Sequence, residues 1–125
     1  MKARILLIED NAQNRYLTQF LLEQRGHEVV HAHTGPQGLA AAAQIRPDLI
    51  LLDIQLPGMD GHAVARALKG DAQLKSIPIV AVTSYAMVGD REKCLEAGAE
   101  GYIEKPINPE SFVAEVERFL VRRQE

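Results

Sequence analysis

Five short apolar runs, most of them rich in β-branched residues, recur along the chain, each followed by a helical pattern, and this alternation constrains the fold more than any other feature. The runs are Ala3 to Ile8, Glu28 to Ala32, Leu49 to Asp53, Ile79 to Val82 and Gly101 to Glu104. Strands that are apolar on both sides suit a parallel sheet with helices packed over each face.

The segments between them read as helices. The first spans Asn14 to Arg25, with Leu17, Phe20 and Leu21 as its apolar side and Gly26 as a left-handed cap. Thr34, Gly35, Pro36 and Gln37 have capping-box spacing and open a second helix that runs to Ile45 and is closed by Pro47. A third runs from His62 to Leu68 before Gly70, and a fourth from Asp90 to Ala97 before Gly98. The last opens with Asn108 as N-cap and Pro109 at its first position, and carries Phe112, Val116, Phe119 and Leu120 along one side. Right-handed crossovers leave few strand orders for five such units. The expected class is α/β, a flavodoxin-like doubly wound five-stranded parallel sheet in the order 2-1-3-4-5 with five helices, forming one domain over residues 1–125.

In such a sheet every strand's C-terminal end lies along one edge, where ligands bind. The stretch LLDIQLPGMDG, Leu51 to Gly61, raises the question of why a sheet-centre run stops on a carboxylate. The topology answers it: Asp53 ends strand 3 beside Glu9 and Asp10 at the end of strand 1, with Thr83 and Ser84 after strand 4, and Glu104 and Lys105 at the end of strand 5. Carboxylates about 4 Å apart repel by about 4 kcal/mol per pair at an effective dielectric near 20, so a cation must compensate. Oxygen ligands of this kind suit Mg2+, and Lys105 adds a second positive charge. A metal, a lysine, a hydroxyl and a carboxylate nucleophile together match phosphoryl transfer onto Asp53.

At this point the chain resembles the receiver domain of response regulators over Lys2 to Leu120. The resemblance rests on ILLIEDN at Ile5 to Asn11, LLDIQLPGMDG, VAVTS at Val80 to Ser84 and YIEKP at Tyr102 to Pro106, four motifs in order. It implies that Asp53 accepts a phosphoryl group from a histidine kinase or histidine phosphotransfer protein. It also implies Mg2+ bound by Asp10, Asp53 and the backbone carbonyl of Gln55, with Glu9 acting mainly through metal-bound water. Lys105 is expected to contact the phosphoryl oxygens, Thr83 to be the hydroxyl that moves toward them, and Tyr102 to be the aromatic that reports the switch. Gln55 and Tyr85 are expected to tune hydrolysis. Pro57, Gly58 and Gly61 are expected to shape the loop, and the Lys105–Pro106 bond is often cis in the family. The resemblance implies a phosphorylation-dependent signalling switch, not an enzyme beyond its own phosphorylation and dephosphorylation. Its expected output is a downstream protein contact through helix 4, strand 5 and helix 5, because no output domain follows the fifth helix.

Three rival readings turn on particular positions. A phosphohydrolase of the haloacid-dehalogenase type needs a second acid two residues after its nucleophile, where this chain has Gln55. A flavin-binding flavodoxin needs a phosphate-cradling loop after strand 1, which Glu9 and Asp10 would repel. A pseudo-receiver scaffold is disfavoured because the expected active-site positions are all filled.

A net charge of −3 without a long basic run argues against direct nucleic-acid binding. Cys94 is the only cysteine, and nothing resembles a signal peptide or a membrane-length apolar run, so a cytoplasmic protein without membrane partners is expected. Met1 to Arg4 leading straight into the first strand is expected to be a natural N-terminus. His31 and His33 alternate onto one strand face without an evident third metal ligand. His62 reads as a solvated helix residue, Cys94 as a small packing residue, and Arg122 and Arg123 as partners of the last helix's dipole.

Overall fold

The computed structural model describes residues 2–84 and 88–124, the side chains of 121–124 excepted. Its elements are β1 (Arg4–Ile8), α1 (Ala12–Gln24), β2 (Glu28–Ala32), α2 (Gly35–Ile45), β3 (Leu49–Asp53), α3 (Gly61–Lys69), β4 (Ile79–Thr83), α4 (Asp90–Ala97), β5 (Gly101–Glu104) and α5 (Phe112–Gln124). The strands form one sheet in the order β2-β1-β3-β4-β5, every neighbouring pair parallel. The expected flavodoxin-like topology is the one observed.

The apolar strands divide by parity. Ile5, Leu7, Leu49, Leu51, Val80 and Val82 face α1 and α5, while Leu6, Ile8, Ile50, Leu52, Ile79 and Ala81 face α2, α3 and α4. Each of these residues therefore belongs to one of two cores, as a period of two requires when both faces are covered. The edge strand β2 has neighbours on one side only and is more exposed, His31 included.

Local chemistry sets where helices begin. The Asn11 side chain accepts from the Asn14 N–H, so α1 starts at Ala12, two residues before the expected position. Its sheet-facing ridge is Thr18 and Leu22, about 100° round from the expected Leu17–Leu21 line. Phe20 is thereby turned outward and stacks on Tyr16 with ring centroids 6.3 Å apart. Thr34 caps α2 through the Gln37 N–H, and the Gln37 side chain reaches back to the N–H of His33. Asp60 caps α3 by accepting from Ala63, which starts that helix at Gly61.

Two further boundaries differ from expectation. The parallel ladder carries β4 one residue on to Thr83, whose carbonyl accepts from the Lys105 N–H at 2.7 Å. Asn108 caps a turn ahead of the helix, its side chain accepting from Glu110, and α5 begins at Phe112. Phe112, Val116 and Leu120 are buried against the sheet as expected, with Phe119 packed beside them. Sequence reading passed over His27, which is buried. Its Nδ1 accepts from the Ala3 N–H at 3.1 Å, so Nε2 carries the proton that it donates to Glu117 of α5 at 2.8 Å.

The loop after β3 is held close by Gly61. A Cβ there would lie 2.5 Å from Ile54 Cα and 2.8 Å from the Asp53 carbonyl oxygen, both backbone atoms that cannot swing aside. Gly61→Ala is therefore expected to lower stability by about 1–3 kcal/mol through overpacking. Urea unfolding measures this, and a variant as stable as the parent would refute the close-approach assignment.

Candidate functional site

Parallel register brings the strand ends into line. Ile8 pairs with Leu52 and Asp53 with Val82, so Glu9, one residue past β1, lies alongside Asp53. The carboxylates of Glu9, Asp10 and Asp53 each offer a ligand atom within 4.8 Å of the others. Their exposures differ sharply: Glu9 and Asp53 are buried, while Asp10 is open to solvent. The strand does not emerge into water at Asp53; the side chain ends inside the crevice.

Lys105 enters from β5 and donates to Glu9 Oε1 at 2.7 Å, with Nζ also 3.7 Å from Asp53 Oδ1. It sits between the two buried acids. The peptide bond from Lys105 to Pro106 is cis. Burial first, then the adjacent Asp53 carboxyl, push Glu9 up to about 7 against the opposing pull of Lys105.

Two contacts organise the rim. Arg15 of α1 donates to the carbonyl oxygens of Glu9 at 3.0 Å and Asp10 at 2.8 Å, clamping the turn that carries both acids. Gln55 bridges strands 3 and 4. Its N–H donates to Asp53 Oδ1 at 3.0 Å, its side-chain amide donates to Thr83 Oγ1, and its Oε1 accepts from the Ser84 N–H at 3.2 Å. Arg15 was not singled out from the sequence, and no spacing rule marks it. Its position one turn into the helix that follows Glu9 and Asp10 is the signal that could have found it.

Tyr102 does not join this cluster. Parity places it with the α2–α4 core, across the sheet from Ile103, and its hydroxyl donates to Asp90 Oδ2 of α4 at 2.6 Å. Burial and the Asp90 carboxylate both push the phenol's pKa up. Tyr85 lies outside the described residues, as do the side chains of Arg122 and Arg123. The exposed rings of His31 and His33 stack 5.4 Å apart. His62 is half-buried at the start of α3, not a freely solvated side chain. No helix among the described residues is long and apolar enough to cross a membrane.

Comparison with known proteins follows the same lines. A family model described as the response regulator receiver domain matches residues 5–117. The polar-differentiation response regulator DivK of Brucella anthropi is 41% identical over 120 residues, covering 96% of this chain and 98% of its own. A CheY-like response regulator receiver domain protein from Methanospirillum hungatei superposes with a TM-score of 0.91 at 31% identity, covering 99% of this chain and 98% of its own. The receiver domain of a Pseudomonas aeruginosa sensor histidine kinase, solved with a magnesium ion coordinated in its active site cleft, has a TM-score of 0.84 at 36% identity, with coverage of 98% and 97%.

The raised Glu9 carboxyl makes stability depend on pH. On unfolding Glu9 returns to about 4.5, so between about 4.5 and about 7 the folded chain holds a proton that the unfolded chain has lost. In buffer free of divalent cations, the parent is expected to lose stability relative to Glu9→Gln as pH rises through that window, and the difference should level off outside it. Urea midpoints at several pH values measure this, and a difference independent of pH refutes the assignment.

Proposed function

The chain belongs to the response regulator receiver domains of two-component signalling, and on that premise we propose that Asp53 is the phosphoacceptor of a phosphorylation-controlled switch. The observation that carries this reading is the parallel register that sets Asp53 beside Glu9, Asp10 and Lys105 at one sheet edge. A carboxylate oxygen of Asp53 attacks the phosphorus of a phosphohistidine on a histidine kinase or histidine phosphotransfer protein. The P–N bond breaks as the P–O bond forms, the imidazole leaves with the electron pair, and an aspartyl phosphate results. Water later returns the carboxylate and releases inorganic phosphate. Catalysis in this reading is limited to the chain's own phosphorylation and dephosphorylation.

The donor set fits Mg2+. All three side chains present oxygen, and three carboxylates against one ammonium leave an excess of negative charge that a divalent ion offsets. Asp10, Asp53 and the carbonyl of Gln55 would hold the ion, with Glu9 acting through an intervening water. When bound, Mg2+ neutralises charge on the transferring phosphoryl group. The magnesium ion in the Pseudomonas receiver domain supports the assignment.

Lys105, 3.7 Å from Asp53 Oδ1, is placed to answer the phosphoryl oxygens, trading part of its pairing with Glu9. Thr83 supplies the hydroxyl that moves toward them, and to do so it gives up the bond from Gln55. Gln55 therefore acts both on hydrolysis and on the switch. The haloacid-dehalogenase alternative lacks support here, since the Gln55 side chain is an amide engaged with Thr83 and Ser84. Thr83 ends β4 and Lys105 follows β5, so their movement passes to α4, β5 and α5, the face proposed to contact a downstream protein.

Acetyl phosphate with Mg2+ is expected to phosphorylate the parent, with EDTA preventing it and Asp53→Ala abolishing it by intact mass spectrometry. Full phosphorylation of Asp53→Ala would overturn the assignment. Thr83→Ala should still accept phosphate but lose most of the phosphorylation-dependent NMR shifts in α4 and β5, and parent-like shifts would reduce Thr83 to a strand residue. Phosphorylation should change affinity for the downstream partner by about 5- to 150-fold. Equal affinities by calorimetry, or a footprint on α2 and α3, would refute the proposed face.

A further inference from the structure

A second constellation lies on the opposite face of the sheet, at the seam of α3 and α4. His62 Nε2 is 3.6 Å from Cys94 Sγ and 3.9 Å from Asp90 Oδ1, and one ligand atom from each of the three lies within 4.8 Å of the others. We propose that His62, Asp90 and Cys94 form a binding site for a thiophilic divalent cation of the zinc class, separate from the acidic crevice and independent of the phosphorylation reading.

The geometry is close to what such an ion imposes. With metal–sulfur near 2.3 Å and metal–nitrogen near 2.0–2.1 Å, a tetrahedral centre holds sulfur and nitrogen about 3.5 Å apart. The Cys94–His62 separation already matches, and Asp90 Oδ1, 3.9 Å from His62 Nε2, must close by about half an ångström toward the histidine. Asp90 and Cys94 are four residues apart on α4, so they project from one helix face, and His62 meets them from the first turn of α3. The donors, one thiolate, one imidazole and one carboxylate, select against Mg2+ and Ca2+, which take oxygen.

The surroundings complete the site. The other imidazole nitrogen, Nδ1, is 3.8 Å from Asp60 Oδ1, near the carboxylate but beyond hydrogen-bond reach. Asp60 is itself fixed as the cap of α3. An open groove lined by Asp60, His62, Arg66, Lys93 and Glu96 brings solvent to the His62 side of the site. The two acids of the groove offset its two cations. Asp90 uses Oδ2 to accept from Tyr102, leaving Oδ1 for the ion. Burial and the Asp90 charge hold the Cys94 thiol up at about 11, so coordination releases its proton to solvent.

The test uses the full chain without an affinity tag, in saturating Mg2+ so that the acidic crevice is filled, titrated with Co2+ and then with competing Zn2+. The expected result is one equivalent of Co2+ with a sulfur-to-cobalt charge-transfer absorption, displaced by Zn2+. That absorption should vanish in Cys94→Ser and the affinity should fall at least tenfold in His62→Gln, while a His31→Ala, His33→Ala double variant binds as the parent does. His62 is half-buried, so His62→Gln keeps the test decisive if Cys94→Ser fails to fold. Absence of the charge-transfer band in the parent, parent-like binding by His62→Gln, or loss of the band in the double variant would overturn the proposal, and the 3.6 Å contact would then be a thiol–imidazole hydrogen bond only.

Discussion

The Lys105–Glu9 ion pair is the interaction on which the strand-end site depends. Two buried carboxyl groups, Glu9 and Asp53, share one partly buried ammonium at the end of an apolar sheet, and Lys105 is the cation that both approach. Removing one partner of a buried pair leaves an uncompensated charge and typically costs about 3–5 kcal/mol. The pair also closes the sheet across its width, since Glu9 follows β1 and Lys105 follows β5, with β3 and β4 between them. One ammonium nevertheless cannot balance three acids, and the excess is relieved partly by Glu9 holding its proton up to about 7. The crevice is thus electrostatically underfilled by the protein alone, which is the condition under which added positive charge binds favourably.

Strand parity then divides the labour between the two faces. Glu9, Asp53 and Lys105 share the side of α1 and α5, whereas Tyr102 belongs to the side of α4. Thr83, with the parity of Ile79 and Ala81, has its side chain on that second side as well. Gln55 joins the two sides: its backbone N–H holds Asp53 and its side-chain amide holds Thr83 and Ser84.

The sheet was legible because its inner strands, β3 and β4 above all, are buried on both faces and so must be apolar almost throughout. Asp53 was legible for the converse reason, a charge where a buried run should continue. Helix starts at Asn11 and Asp60 were missed although each cap residue has the required chemistry, because capping competes with other uses of Asn and Asp in turns. Of the expected apolar side of α1, Leu21 packs against the core, but Phe20 does not, because it finds its partner in Tyr16 on the exposed side. Arg15 escaped entirely, and Gln55, expected from its place two residues after Asp53 to tune hydrolysis, was not expected to bond Thr83 and Ser84, since such contacts to another element leave no periodic trace.

Asp90 shows why this last kind of information is lost. In the sequence it is an acid at a helix start, and dipole stabilisation accounts for it fully. In the fold its two oxygens face different elements, Oδ2 toward Tyr102 on β5 and Oδ1 toward His62 on α3. One carboxylate thereby joins α4 to both neighbours. Rotation of that side chain to improve either contact changes the other, so the position of Tyr102 and the packing of α3 on α4 are not independent. Any group that draws on Oδ1, whether a proton on His62 or a cation between His62 and Cys94, alters the electron density available at Oδ2 for the tyrosine hydroxyl.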